Sequence, residues 1–283
     1  MIKKAFLIGI NDYRPAGAAG PDLNGCVNDV KDMANTLVIA GFEPRNIRLC
    51  TDRSATRDNI LKGLGWLTAD ARTGDSLVFY YSGHGSQVAD TNGDEVDASD
   101  EILCPHDIDF ARRVYLTDDN LRQTFANLPA DANLEVILDS CHSGTATRDI
   151  ASVLSVAERM RTRKKYLAPP IDYSFHIDYE PDLKRRRILR PGDGHRETIV
   201  IPGLNHTLWA ACRDNQTSEE TEIEGRVRGV FTYHFCQVLR RSNANITRKQ
   251  LDRLVTAALK RAGFEQVPQL ETSKEELREK PFA

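Results

Sequence analysis

The chain has 283 residues, 40% of them hydrophobic, enough for one sizeable core or for two small domains. A net charge of −3 gives no overall field that would draw it to nucleic acid or to a membrane surface, and neither is expected as a partner. Six cysteines (Cys26, Cys50, Cys104, Cys141, Cys212 and Cys236) stand apart without a Cys-x-x-Cys pair, which argues against zinc and against a disulfide framework and fits a reducing cytoplasm.

The opening "MIKKAFLIGI" carries two lysines and a short apolar run. It is too short for a signal peptide and has no cleavage site, so a first strand is expected there, with no prodomain ahead of it. No run of about 18 apolar residues predicts a membrane-spanning helix. "AFLIGI" (5–10), "NIRLC" (46–50), "SLVFYYS" (76–82) and "LEVILDS" (134–140) read as strands, mostly continuous and so buried on both faces. Between them, 25–41 and 56–71 carry apolar residues at helical spacing, with Gly41 as a stop, and 116–128 reads as a third helix capped by Thr117. This rhythm predicts a mainly parallel sheet with helices on both sides.

From about 150 to 200 the pattern breaks. "RMRTRKKYLAPP" and "DLKRRRILRPGDGHRE" are basic and interrupted by Pro and Gly, so a mobile surface segment is expected and a regular core element is not. A nucleic-acid role for these clusters is disfavoured by their prolines and by the lack of regularly spaced aromatics. Then "HTLWAAC" (206–212) reads as a strand, 229–241 and 247–263 as helices, and "VPQLE" as a last strand. With one interruption and no repeat, a single domain is expected, acting as a monomer.

Ligands bind open α/β sheets outside the carboxyl ends of the strands. Two strand ends here carry chemistry: "LVFYYSGHGS" runs into His84, and "VILDSCHSG" runs into Cys141. If the strands are neighbours, His84 can activate the thiol and protonate a leaving amine, with the Gly85 and Cys141 N–H groups as oxyanion donors. The glycines flanking His84 are expected to let a substrate backbone approach closely. His142 is expected to point away. Asp139 stands two positions before Cys141, on the same strand face.

"YYSGHGS" and "DSCHSG" resemble the metacaspases and their bacterial relatives, the orthocaspases, among the caspase-like cysteine peptidases. "GINDY", "LNGCVNDV", "TDDNL", "ACRDNQTSEE", "GVFTYHF" and "VPQLE" resemble further blocks in the same order. The resemblance implies a caspase-like three-layer αβα sandwich with a mainly parallel central sheet of about six strands. It would have a large-subunit-like part (1–150), a basic linker (151–200) and a small-subunit-like part (201–283). It implies a His84–Cys141 dyad and cleavage after Arg or Lys, in a pocket of Cys26, Asp29, Ser82 and Asp139. A carboxylate there would pair with a basic side chain and reject an acidic one. The other reading is a scaffold or binding protein that has retired the activity, which the presence of both dyad residues disfavours.

The acidic stretch "ADTNGDEVDASDE" partly fits an EF-hand loop through Asp90, Asn92, Asp94 and Glu101, but Glu95 stands where glycine belongs. The resemblance implies a different calcium site, at Asp100, Asp118 and Asp119. Its fourth aspartate is replaced by Arg148, with Asp149 one position later. Self-processing is expected in the basic linker, at one of Arg159, Arg161, Arg163, Lys164, Lys165, Lys184, Arg185, Arg186, Arg187 or Arg190, because such segments extend into a cleft without unfolding a core.

Overall fold

The structure, a computed structural model, describes residues 1–13, 22–89, 99–129, 131–142, 162–168, 206–213 and 216–283. In chain order its elements are β1 (Lys3–Gly9), α1 (Cys26–Ile39), β2 (Ile47–Thr51), α2 (Arg57–Thr68), β3 (Ser76–Ser82), β4 (Gly85–Ala89), β5 (Ser99–Leu103), β6 (Leu116–Thr117), α3 (Asp118–Phe125), β7 (Asn133–Asp139), β8 (Arg163–Lys164), β9 (His206–Ala210), β10 (Glu219–Ile223), β11 (Arg226–Gly229), α4 (Val230–Arg241), α5 (Arg248–Arg261) and β12 (Gln269–Glu271).

Six strands form the central sheet in the order β12-β9-β7-β3-β1-β2. All neighbours are parallel except β12, which pairs antiparallel with β9 at the edge. All seven residues of β3 are buried, as a strand covered on both faces must be. Alternate side chains serve opposite faces. Phe6, Ile8, Phe79, Tyr81 and Leu138 pack against Ile60 and Leu64 of α2 and Leu121 and Phe125 of α3. Leu7, Tyr80, Ile137 and Trp209 pack against α1, α4 and α5 through Met33, Phe235 and Val255. The molecule is thus a three-layer α/β sandwich, with two helices on one face and three on the other among the described residues. Among the described residues no helix is long and apolar enough to cross a membrane.

Local chemistry sets the helix ends. Gly41, at φ +90°, turns the chain after α1, where a side chain would be strained. Thr117 caps α3 by accepting the Asn120 N–H at 3.2 Å, and Asn120 Oδ1 accepts the Thr117 N–H in return.

The acidic stretch ends in regular structure: Ser99–Leu103 pairs with β4 and β6 in a small antiparallel sheet. One expectation needs correction: the basic linker is not free of regular structure, since Arg163–Lys164 pairs with β10 and Lys165 is fully buried. A lysine enters an interior only where carboxylates meet it, and two do.

The chain's two halves are fastened across α5 by a buried ion pair. Arg248 Nη2 lies 2.6 Å from Glu135 Oε1, and Trp209 Nε1 donates to Glu135 Oε2 at 2.6 Å. Removing one partner of a buried pair leaves the other charge stranded. Arg248→Leu should therefore destabilise by about 3–5 kcal/mol in denaturant unfolding, and adding Glu135→Leu should recover most of the loss. A single variant within about 1 kcal/mol of wild type would contradict this.

Candidate active site

β3 and β7 are adjacent and in register, Ser82 opposite Asp139. His84 and Cys141 each follow their strand end by two residues, so the two parallel strands deliver them to the same edge of the sheet. The backbone around His84 is tightly held. Its N–H donates to the Tyr13 hydroxyl at 2.7 Å, and its carbonyl accepts from the Cys104 N–H at 3.0 Å and the Tyr81 hydroxyl at 2.7 Å. The Tyr13 ring lies 4.8 Å from the His84 imidazole, centroid to centroid.

The flanking glycines allow close packing within the protein. A Cβ on Gly83 would meet the Tyr13 and Tyr81 hydroxyls at 2.5 and 2.6 Å; one on Gly85 would meet the Cys141 carbonyl oxygen at 2.4 Å. The two strand ends touch only because no side chain stands between them.

Cys141 donates its thiol to the Gln216 carbonyl at 3.0 Å. Cys212 reaches the same carbonyl at 3.4 Å, and its hydrogen bond with Cys141, together with burial, raises its pKa so that it stays a neutral thiol. His142 turns toward the small sheet: Ser140 Oγ is 3.3 Å from its Nε2 and Glu101 is 3.9 Å away. Burial pulls its pKa down to about 4, leaving it neutral near pH 7.

Asp29, Ser82 and Asp139 converge in a closed pocket on the α1–α4 face. Asp29 Oδ2 accepts from Ser82 Oγ at 2.8 Å and Oδ1 from the Gly229 N–H at 2.8 Å. Asp139 Oδ1 accepts from Ser218 Oγ and Oδ2 from Thr232 Oγ1, each at 2.6 Å. Cys26 lies beside Ser82, its thiol held neutral by burial. Gly229 forms the remaining wall: a Cβ there would meet both carboxylates at 2.3 and 2.6 Å.

The pocket is filled by the chain itself. Lys165 Nζ lies 3.0 Å from Asp29 Oδ2, 3.1 Å from Asp139 Oδ2 and 2.9 Å from Ser82 Oγ. Burial alone would depress this amine, but Asp139 and Asp29 outweigh it and hold its pKa well above the ordinary value. Burial pushes the Asp29 carboxyl up, opposed by the Lys165 charge. The Lys165 carbonyl oxygen, meanwhile, accepts two backbone donors, Gly85 N–H at 3.0 Å and Cys141 N–H at 3.2 Å. The segment is held on both sides, by Lys165 N–H on the Ser218 carbonyl at 2.9 Å and Leu167 N–H on the Gly85 carbonyl at 2.9 Å.

Of the linker residues singled out from sequence, Arg163, Lys164 and Lys165 are described, and only Lys165 enters the pocket; the other seven lie outside the described residues. Sequence reasoning missed Tyr13, Gln216, Ser218, Gly229 and Thr232. All five fall in motifs quoted above, but their contribution is a backbone group, a hydroxyl or a missing side chain, which leaves no chemical signature in the sequence.

The carboxylates suggested for calcium are engaged otherwise. Asp118 and Asp119 pair with Arg122 at 3.0 and 2.6 Å, and Asp100 lies on β5 opposite Val88. Among the described residues no three His, Cys, Asp or Glu side chains are grouped to hold a metal. Asp90, Asn92, Asp94, Arg148 and Asp149 lie outside the described residues.

Comparison with known proteins agrees with this architecture. The metacaspase family, in its peptidase C14 domain, matches residues 3–149, about half of the chain. A metacaspase-1 of Scheffersomyces stipitis is 32% identical over 259 residues, 84% of this chain and 62% of that protein. A metacaspase-1 of Ajellomyces capsulatus is 31% identical over 298 residues, 96% of this chain and 80% of that one. The chain thus spans about six-tenths of the length of some curated relatives and more of others. A crystal structure of a Geobacter sulfurreducens protein, 25% identical, superposes with a TM-score of 0.70 over all of this chain and 99% of that one. With the family's match running from the first strand past Cys141, and relatives matching across the linker to the last helices, the chain belongs to the metacaspase family.

Proposed function

We propose that the chain is a cysteine endopeptidase that cuts after lysine or arginine, with Cys141 as nucleophile and His84 as its base, and that its first substrate is its own Lys165–Tyr166 bond. One observation carries this reading. A single residue, Lys165, has its ammonium between two buried carboxylates and its carbonyl on two N–H donors, one of them the N–H of Cys141 itself. Family membership supports peptidase chemistry.

His84 takes the Cys141 proton, and Sγ attacks the carbonyl carbon of the residue seated in the pocket. The carbonyl electrons move to oxygen, where the Gly85 and Cys141 N–H groups stabilise the growing charge. As the intermediate collapses, the C–N bond breaks and the departing nitrogen, here that of Tyr166, takes the proton from His84. Water, deprotonated by His84, then hydrolyses the thioester, releasing the lysine carboxylate and restoring the thiol.

Specificity rests on charge in a dry cavity. A lysine or arginine satisfies Asp29 and Asp139, whereas an aspartate would put a third carboxylate between them. After a cut at Lys165 the two fragments would stay joined, because β7 pairs with β9 and α1 packs on α4 across the break. All six cysteines are free, in keeping with a reducing cytoplasm as its place of action.

Peptides differing only at the residue before the cut provide the test. Turnover is expected after Arg and Lys, none measurable after Asp, and none with Cys141→Ala. Asp139→Asn should lower kcat/KM for Arg peptides by roughly 30-fold or more, the cost of leaving a buried cation without its partner (about 2–5 kcal/mol). Gly229→Ala should do the same: its φ of −63° suits alanine, but the added methyl would crowd both carboxylates. Turnover in Cys141→Ala, or a preference for aspartate, would sink the proposal.

A further inference from the structure

The segment that fills the pocket also marks the position next to it. Side chains alternate along an extended strand, so Lys164 faces away from the cavity that Lys165 enters. β8 runs antiparallel to β10, with Lys164 opposite Glu219 and Arg163 opposite Glu220. Directly opposed residues of antiparallel strands share a face and interact. The two glutamates have different employment. Glu220 is structural: its two carboxylate oxygens accept the Asn24 and Gly25 N–H groups, each at 2.8 Å, at the start of α1. Glu219 is 7% exposed and stands opposite Lys164. The charged groups that face it are Lys164 from β8 and Glu265 from the loop before β12. That loop is fixed by Gln216, whose side chain donates to the Glu265 carbonyl at 2.8 Å and whose own carbonyl holds the Cys141 thiol.

We propose that Glu219, with Glu265 beside it, is a specificity-determining residue that selects lysine or arginine at the position preceding the cut residue, so that the preferred substrate is a run of basic residues. This rests on the peptidase reading above and adds a second acidic subsite to it. Arg163 extends the same register, donating to the Asp22 carbonyl. A carboxylate held among backbone and another acid is poorly solvated and gains most when a cation arrives. Burial raises its pKa to about 7, Lys164 pulling it down and Glu265 pushing it up. A substrate cation and a proton therefore compete for the same carboxylate. Above pH 7 it is ionised and attracts the cation; below, it is protonated and indifferent.

Two peptides test this, each with arginine at the cut and differing only in lysine or alanine just before it. The ratio of their kcat/KM values cancels the titration of the dyad. We expect about 10-fold preference for lysine at pH 8, falling to about 3-fold or less at pH 6, in wild type alone. Glu219→Gln should bring the pH 8 ratio close to one, and Glu219→Lys should favour glutamate over lysine at that position. Turnover of both peptides at equal rates by wild type would overturn this inference and leave the peptidase reading standing. So would a ratio unchanged by Glu219→Gln. Turnover of neither peptide would overturn both.

Discussion

Two carboxylates are buried together at the strand ends, with a lysine ammonium between them. Bringing one such group out of water costs several kcal/mol, and two close together repel. Asp29 and Asp139 are nonetheless 0% exposed. The surrounding architecture follows from that constraint. Ser82, Ser218, Thr232 and the Gly229 N–H each give a hydrogen bond to one of them, drawing β3, α1, β7, α4 and the start of β10 to one point. The remaining valence is cationic, and Lys165 supplies it.

The same strand offers an internal comparison. Glu135 and Asp139 lie four residues apart on one face of β7, both fully buried. Glu135 pairs with Arg248 of α5, beside Trp209, and this pair is architecture. Asp139 pairs with Lys165, the residue after the two-residue strand β8, and that lysine's carbonyl rests on the N–H of a cysteine. Both pairs neutralise a buried acid. Only the second sets a peptide carbonyl on two backbone donors, the Gly85 and Cys141 N–H groups.

Much of this was legible in the sequence. Continuous apolar runs gave away the buried parallel strands, because burial on both faces leaves no alternation to obscure them. The ends of two such strands pointed to His84 and Cys141. The strands of the two small antiparallel sheets were not legible: β5 lies in an acidic stretch, and β10 and β11 are polar. The Glu224-Gly225 turn between them, both residues at positive φ, was a hairpin signal that went unread. Lys165 was harder still. In sequence it is one base among many in "RTRKKYL". Only the register of β8 on β10 distinguishes it from Lys164, since a shift by one residue would send the other lysine into the pocket.

That register makes the central claim sharp to one bond. Purified wild-type protein, incubated and analysed by intact mass and by N-terminal sequencing of the smaller fragment, should yield a new amino terminus at Tyr166. The Cys141→Ala protein should remain a single chain under the same conditions. A first cut after any other residue of the basic linker, or equal cleavage of the two proteins, would contradict the account.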